Sequence, residues 1–146
     1  MEHNWEEMNS YLVTIFNDVL SIEENELKKS RFGDLTITEM HTIDAIGMYK
    51  KKTTTEVARE LLVTVGTLTT SINRLVKKGY VERIRSEDDR RVVKLSLTKK
   101  GKLVFRVHQH FHREMVRHAT EGLNTEEQEV FLRALKNLYE YLEEIK

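Results

Sequence analysis

Two apolar seams, one at each end of the chain, limit what it can fold into more than any other feature. Trp5, Met8, Leu12, Ile15, Val19 and Ile22 follow one another in alternating steps of three and four, with Phe16 and Leu20 widening the stripe. Phe131, Leu135, Leu138, Leu142 and Ile145 repeat the device in steps of 4, 3, 4 and 3. That spacing places each set on one face of a helix, and the chain has no proline to break either one. A lone helix with one apolar face is marginal in water. The ends are therefore expected to pack together and against a second copy of the chain, as a helical dimerisation region made of residues 1–34 and 102–146.

The middle is punctuated differently. Thr36-Ile37-Thr38-Glu39 has capping-box spacing ahead of Met40, Ile43 and Ile46, and Gly47 stops that helix. Thr53-Thr54-Thr55-Glu56 opens a second helix carrying Val57, Ala58 and Leu61. Thr64 can cap a third, which Lys77-Lys78-Gly79 ends. The period then changes from helical to alternating, over Tyr80–Arg85 and again over Val93–Leu97, which predicts a two-stranded hairpin. Thr98-Lys99-Lys100-Gly101 starts a long helix ending near Gly122, and Thr125 with Gln128 suggests the cap of the last one. The fold class is mostly α with a small β-hairpin wing. Residues 35–101 form a winged helix-turn-helix lobe between long terminal helices.

Charge separates along this frame. The chain balances 24 Lys+Arg against 24 Asp+Glu. Yet residues 1–47 carry 3 basic and 10 acidic side chains, residues 71–100 carry 10 and 4, and residues 121–146 carry 3 and 7. A basic middle between acidic ends fits a polyanion partner for the middle alone. The absence of cysteine excludes disulfides, cysteine-type zinc fingers and thiol nucleophiles. No apolar run approaches the roughly 20 residues that span a bilayer, and the acidic start lacks a signal-peptide pattern. A cytoplasmic protein with no membrane role is expected.

The helix after Thr64 reads as the one that meets double-stranded DNA. Val65, Leu68, Ile72, Leu75 and Val76 are expected to pack inward. Thr67, Thr70, Arg74 and Lys77 rise on the opposite face, with Thr64, Gly66, Thr69 and Asn73 completing the surface. Such a helix fits the major groove, where threonine methyls meet thymine methyls and Arg74 reaches a guanine edge or a phosphate. At the hairpin tip, Asp89 can pair with Arg91 and aim it, beside Arg90, into a narrow minor groove. A salt bridge that simply holds the wing is the plainer reading of the same pair.

The stretches Leu61–Thr69 and Leu75–Val81, the wing Asp89-Arg90-Arg91 and the following Leu97-Thr98-Lys99-Lys100-Gly101 together resemble the MarR family of winged-helix regulators. The wing departs from the family pattern in having Ser86 where an Asp is usual and Asp88 where an Arg is frequent. The resemblance spans the whole chain and implies a homodimer on a pseudo-palindromic operator, with half-sites about 34 Å apart. Within the family the chain is similar to the FabT-like repressors of bacterial fatty-acid synthesis. That similarity is carried by Tyr11-Leu12, Ile15-Phe16-Asn17, Glu39–Asp44, Arg85-Ser86-Glu87 and Asp89–Val93.

That likeness implies long-chain acyl groups on acyl carrier protein as corepressor. An acyl chain needs a dry apolar tunnel, for which Phe16, Leu20, Met40, Ile43, Phe105 and Phe111 are suitable lining, though each is equally suited to plain core. His41, His108 and His112 would hydrogen-bond across that pocket. Arg106, Arg113 and Arg117 could receive the acidic carrier, or be claimed by DNA or by pairs along the helix.

The same histidines support a zinc-responsive alternative. His108 and His112 are one helical turn apart, the spacing for two imidazoles on one metal, with Glu24 available on the first helix. His41, His108 and His112 match the histidine ligands of the zinc-sensing MarR regulators, but the cysteine of that site has no counterpart and Met40 replaces a carboxylate. A regulator responding to small aromatic ligands is the third effector class. No enzyme is expected. Gln109 stands where the zinc-protease helix needs its Glu base, and no nucleophile elbow or phosphate loop occurs.

Overall fold

The computed structural model describes the backbone of residues 2–146 and the side chains of residues 4–146. Six helices and three short strands follow in the order α1 (Glu2–Lys29), α2 (Ile37–Ile46), β1 (Lys52–Thr53), α3 (Thr54–Leu61), α4 (Val65–Lys77), β2 (Val81–Arg85), β3 (Val93–Leu97), α5 (Lys99–Ala119) and α6 (Thr125–Ile145). The chain divides into two compact units, Met1–His108 and Gln109–Lys146. The division falls inside α5, whereas the sequence suggested boundaries near residues 34 and 101.

In the first unit, local caps define three helices around one core. Glu39 N–H donates to Thr36 Oγ1 (3.1 Å) and Thr36 N–H to Glu39 Oε1 (3.0 Å), the reciprocal box that the spacing predicted. The Thr53 and Thr64 side chains cap α3 and α4, accepting from Glu56 N–H and Thr67 N–H. Gly47 ends α2 at φ 66°, and Leu62 makes the turn into α4 at φ 57°, a left-handed conformation uncommon for a branched side chain. Ile43, Ile46, Val57, Leu68, Ile72, Leu75 and Tyr80 are almost fully buried together, joined by Leu27 from α1 and Val104 and Phe105 from α5.

The wing has three strands rather than two, in the order β1-β3-β2 and antiparallel throughout. Two residues, Lys52 and Thr53, are too few to leave an alternating pattern. Val65 and Val76 also depart from expectation: they are 46% and 36% exposed, and α4 buries only Leu68, Ile72 and Leu75.

The root of the wing is a close backbone contact. Tyr80 is fully buried and its carbonyl accepts from Thr98 N–H at 3.0 Å. Thr98 Oγ1 donates to Gly79 O (2.6 Å) and accepts from Gly101 N–H (3.2 Å), so one threonine ties the end of α4 to the start of α5. A Cβ on Gly101 would lie 2.1 Å from the Tyr80 carbonyl oxygen. Glycine at 101, at the end of Leu97-Thr98-Lys99-Lys100-Gly101, is thus a packing requirement. The Tyr80 hydroxyl donates to Asp34 Oδ1 at 2.6 Å; burial, then this carboxylate, raise its pKa. Lys78 reaches the α2 cap, donating to Glu39 Oε1 at 2.9 Å. Burial would raise the Glu39 carboxyl, but Lys78 and the Thr36 N–H hold it below its ordinary value.

The second unit holds the end of α5 and all of α6. Gly122, at φ 81°, turns the chain between them. The cap of α6 is Asn124, not Thr125 with Gln128: Glu127 N–H donates to Asn124 Oδ1 (2.9 Å) and Asn124 Nδ2 donates to Glu127 Oε1 (3.0 Å). The same three-residue spacing occurs one position earlier. Gln128 instead donates to Leu123 O.

Gly101→Ala should therefore lower the melting temperature markedly, since overpacking of this kind costs about 1–3 kcal/mol. Gly66→Ala, at a helical site where a Cβ meets nothing within 4 Å, should raise stability by about 0.5–1 kcal/mol. Thermal unfolding of the two variants side by side checks this. Equal melting temperatures would contradict the close contact.

Candidate nucleic-acid interface

One face of α4 is polar or open apart from Val65. Thr64, Gly66, Thr67, Thr69, Thr70, Asn73, Arg74 and Lys77 are all exposed, opposite the buried Leu68, Ile72 and Leu75. The N-terminal end of the helix carries no acidic residue in its first turn, and Arg74 and Lys77 close its last. Arg83 of β2 donates through Nη2 to Asn73 Oδ1, linking this face to the wing.

The wing tip is held by a short set of bonds. Ser86 N–H donates to Val92 O (2.9 Å), Val92 N–H to Asp89 O (3.0 Å) and Arg85 Nη1 to Arg90 O (3.0 Å). Arg91 gives Asp89 three hydrogen bonds: its backbone N–H and Nε to Oδ1 (3.0 and 3.2 Å) and Nη2 to Oδ2 (3.3 Å). The Arg91 side chain, then its backbone N–H, hold the Asp89 carboxyl below its ordinary pKa. Arg91 is nonetheless 91% exposed as a side chain, so the pair aims the guanidinium without burying it.

A second polar cluster lies in the core of the same unit. Glu23 of α1 is buried, with Oε2 3.1 Å from His41 Nε2 of α2 and Oε1 3.9 Å from His108 Nδ1 of α5. The two imidazole centroids are 6.0 Å apart, and His108 Nε2 lies 4.0 Å from Asp44 Oδ2. One ligand atom from each of Glu23, His41 and His108 falls within 4.8 Å of the others, a two-imidazole, one-carboxylate donor set of a kind that Zn²⁺ takes.

Comparison with known proteins decides what this scaffold is. Residues 33–92 match the sequence pattern of the MarR family. The chain is 53% identical to Streptococcus pneumoniae FabT, solved in complex with DNA; the match covers 97% of this chain and 99% of that one, with a TM-score of 0.86. This chain belongs to the MarR family. The transcriptional regulator SarZ of Staphylococcus aureus (strain NCTC 8325) is 37% identical over 101 residues, 66% of this chain and 68% of SarZ. The regulator PchR of Bacillus subtilis (strain 168) is 24% identical over 143 residues, 96% of this chain and 81% of PchR.

Within this MarR-family scaffold, the expected effector residues occupy several different settings. Glu24 is not part of the histidine cluster; it faces outward and pairs with Lys28 at 3.4 Å, and Glu23 takes the buried position. Phe16 and Leu20 are 61% and 52% exposed, so neither lines a closed pocket within a single chain. Met40, Ile43 and Phe105 are in the buried core. Phe111 and His112 belong to the second unit, their rings edge to face at 5.7 Å. Arg106, Arg113 and Arg117 are exposed. Arg117 donates to Glu114 Oε2 at 3.0 and 2.8 Å, which raises its own pKa and lowers that of Glu114. Sequence reading missed Glu23 and Arg83. For Glu23 a signal existed: it lies midway between Val19 and Leu27 in steps of four, on the face α1 turns into the core.

Arg91→Ala should cut DNA affinity at least tenfold, at roughly 1.4 kcal/mol per decade, while the melting temperature stays unchanged. Asp89→Ala should fall between wild type and Arg91→Ala, because it frees the guanidinium without removing it. Fluorescence anisotropy beside thermal unfolding checks both, and near-normal affinity of Arg91→Ala would refute a DNA role for the wing.

Proposed function

We propose that this chain is a cytoplasmic, homodimeric, DNA-binding transcriptional repressor of bacterial fatty-acid synthesis genes, with long-chain acyl-acyl carrier protein as its corepressor. The observation that carries the reading is the exposed face of α4 beside an Asp89-aimed Arg91, in a chain 53% identical along nearly its whole length to a FabT solved on DNA. The basic middle of the sequence supplies phosphate contacts. Dimerisation is supported by the seams: Trp5, Met8, Leu12 and Ile15 of α1 are 44–63% exposed in the single chain, and no residue of α6 is buried. Surfaces that apolar mark association sites. No helix among the described residues is long and apolar enough to cross a membrane.

A metal-responsive reading rests on one specific observation, the Glu23, His41 and His108 donor set. In the acyl-responsive reading these groups instead form a polar brace that links α1, α2 and α5 and passes effector occupancy to the α2 side of the DNA-binding lobe.

The two readings separate in one titration series. Affinity of the metal-free dimer for a fatty-acid-gene promoter duplex is measured alone, with unacylated carrier, with long-chain acyl carrier, and with Zn²⁺. The acylated carrier should tighten binding about tenfold, within the usual range of allosteric coupling, and Zn²⁺ should not. No effect of the acylated carrier contradicts the lipid reading. Tightening by Zn²⁺ that Glu23→Gln abolishes would assign the cluster to metal.

A further inference from the structure

The hydroxyls on the DNA-facing side of α4 are mostly committed within the helix. Thr69 Oγ1 donates to Val65 O at 2.8 Å, Thr70 Oγ1 to Gly66 O at 3.2 Å, and Thr64 Oγ1 to Thr67 Oγ1 at 2.8 Å. A hydroxyl has one proton. With their hydroxyl protons given to the preceding turn, Thr69 and Thr70 have no donor left for a base, and the methyl group is the part of each exposed side chain left to meet one. Val65, 46% exposed at the first position of the helix, adds an isopropyl group to the same strip, since residues 65, 69 and 73 follow at steps of four. Beside it Gly66 opens on empty space. Asn73 is fixed as well: Arg83 offers only N–H groups, so the amide oxygen that accepts from it faces the wing, and the amide N–H₂ is what Asn73 presents elsewhere.

We infer that α4 reads its half-site chiefly through thymine 5-methyl groups packed against Val65, Thr69 and Thr70 in the major groove, with Asn73 donating to a base acceptor under the control of Arg83. The inference deepens the DNA-binding reading and rests on it. It selects a class of operator: one with thymines clustered under the N-terminal half of α4. Thymine alone carries a methyl on the major-groove edge, and its O4 or an adjacent purine N7 accepts from Asn73. Arg83 is then a positioning residue acting through Asn73.

The experiment uses the full-length dimer and a duplex library with a randomised centre, amplified in parallel with thymidine and with deoxyuridine, which pairs identically but lacks the methyl. The duplex selected from the thymidine pool is resynthesised with single deoxyuridine replacements, and affinities are measured for wild type, Thr70→Ser and Thr70→Val. Two or three positions should each lose about fourfold on deoxyuridine replacement, the worth of one buried methyl. Thr70→Ser, which keeps the hydroxyl and loses the methyl, should lose the same factor on the thymidine duplex and almost none once its thymine is already deoxyuridine. Thr70→Val should bind like wild type. Arg83→Ala should weaken binding only to duplexes that keep the Asn73 acceptor, and Arg83→Lys should restore part of the loss. Equal binding to thymidine and deoxyuridine duplexes overturns the inference and leaves DNA binding standing. A loss in Thr70→Val larger than in Thr70→Ser overturns it too, by making the hydroxyl the reader. Failure of both pools to enrich any sequence overturns the DNA-binding reading and the inference with it.

Discussion

Everything that points toward DNA in this protein is hung from the contact between the Tyr80 carbonyl and the glycine at 101. Tyr80 is the residue at which the chain leaves α4 and enters β2, and Gly101 lies in the first turn of α5. Only a hydrogen fits between them, because a Cβ would come to 2.1 Å from the carbonyl oxygen. Thr98 bonds to both sides of the gap, and the Tyr80 ring fills the core beneath, its hydroxyl on Asp34. The reading helix, the wing and the long helix therefore share one rigid corner. Orientation of the wing relative to α4 is set there, before any nucleic acid arrives.

A second theme is that polar side chains at the surface are used to fix one another. Asp89 spends its charge on Arg91, Arg83 turns the Asn73 amide, and Thr64, Thr69 and Thr70 satisfy helix or side-chain acceptors. Each such bond removes freedom that binding would otherwise have to remove, at about 0.5–1.5 kcal/mol per immobilised side chain. The surface is ordered in advance, and its chemistry is narrower than its composition suggests. Four threonines in a row of seven residues look like hydroxyl donors; folded, they offer mainly methyls. In the core the same economy takes a different form. Glu23, His41 and His108 bring three helices to one carboxylate, a place where a change in helix spacing is felt by all three.

Much of this was legible in the sequence because it is local. Caps such as Thr36 with Glu39 and Thr64 with Thr67 depend on residues three apart, and the Asp89–Arg91 pair on residues two apart, so spacing alone reveals them. The missed features are those that tertiary packing decides. Strand β1 exists only because β3 passes beside Lys52 and Thr53. Asn124 rather than Thr125 caps α6 although each has a partner three residues on, Glu127 and Gln128, so spacing alone does not choose between them. Val65 and Val76 read as core because they are apolar, yet the buried stripe of α4 is narrower than the apolar count implies. Glu23 was passed over for Glu24 because adjacent carboxylates on a helix differ only in which face the packing selects.

Engagement of the phosphate backbone, as well as of base edges, would fall to the basic face built around α4 and Arg91. Its most direct test is the salt dependence of operator affinity, taken from about 50 to 200 mM. A protein contacting six or more phosphates should lose about a thousandfold or more in affinity over that range, with a linear log–log slope steeper than about −5. A slope near zero would mean that the face meets no phosphates, and would contradict the account at its base.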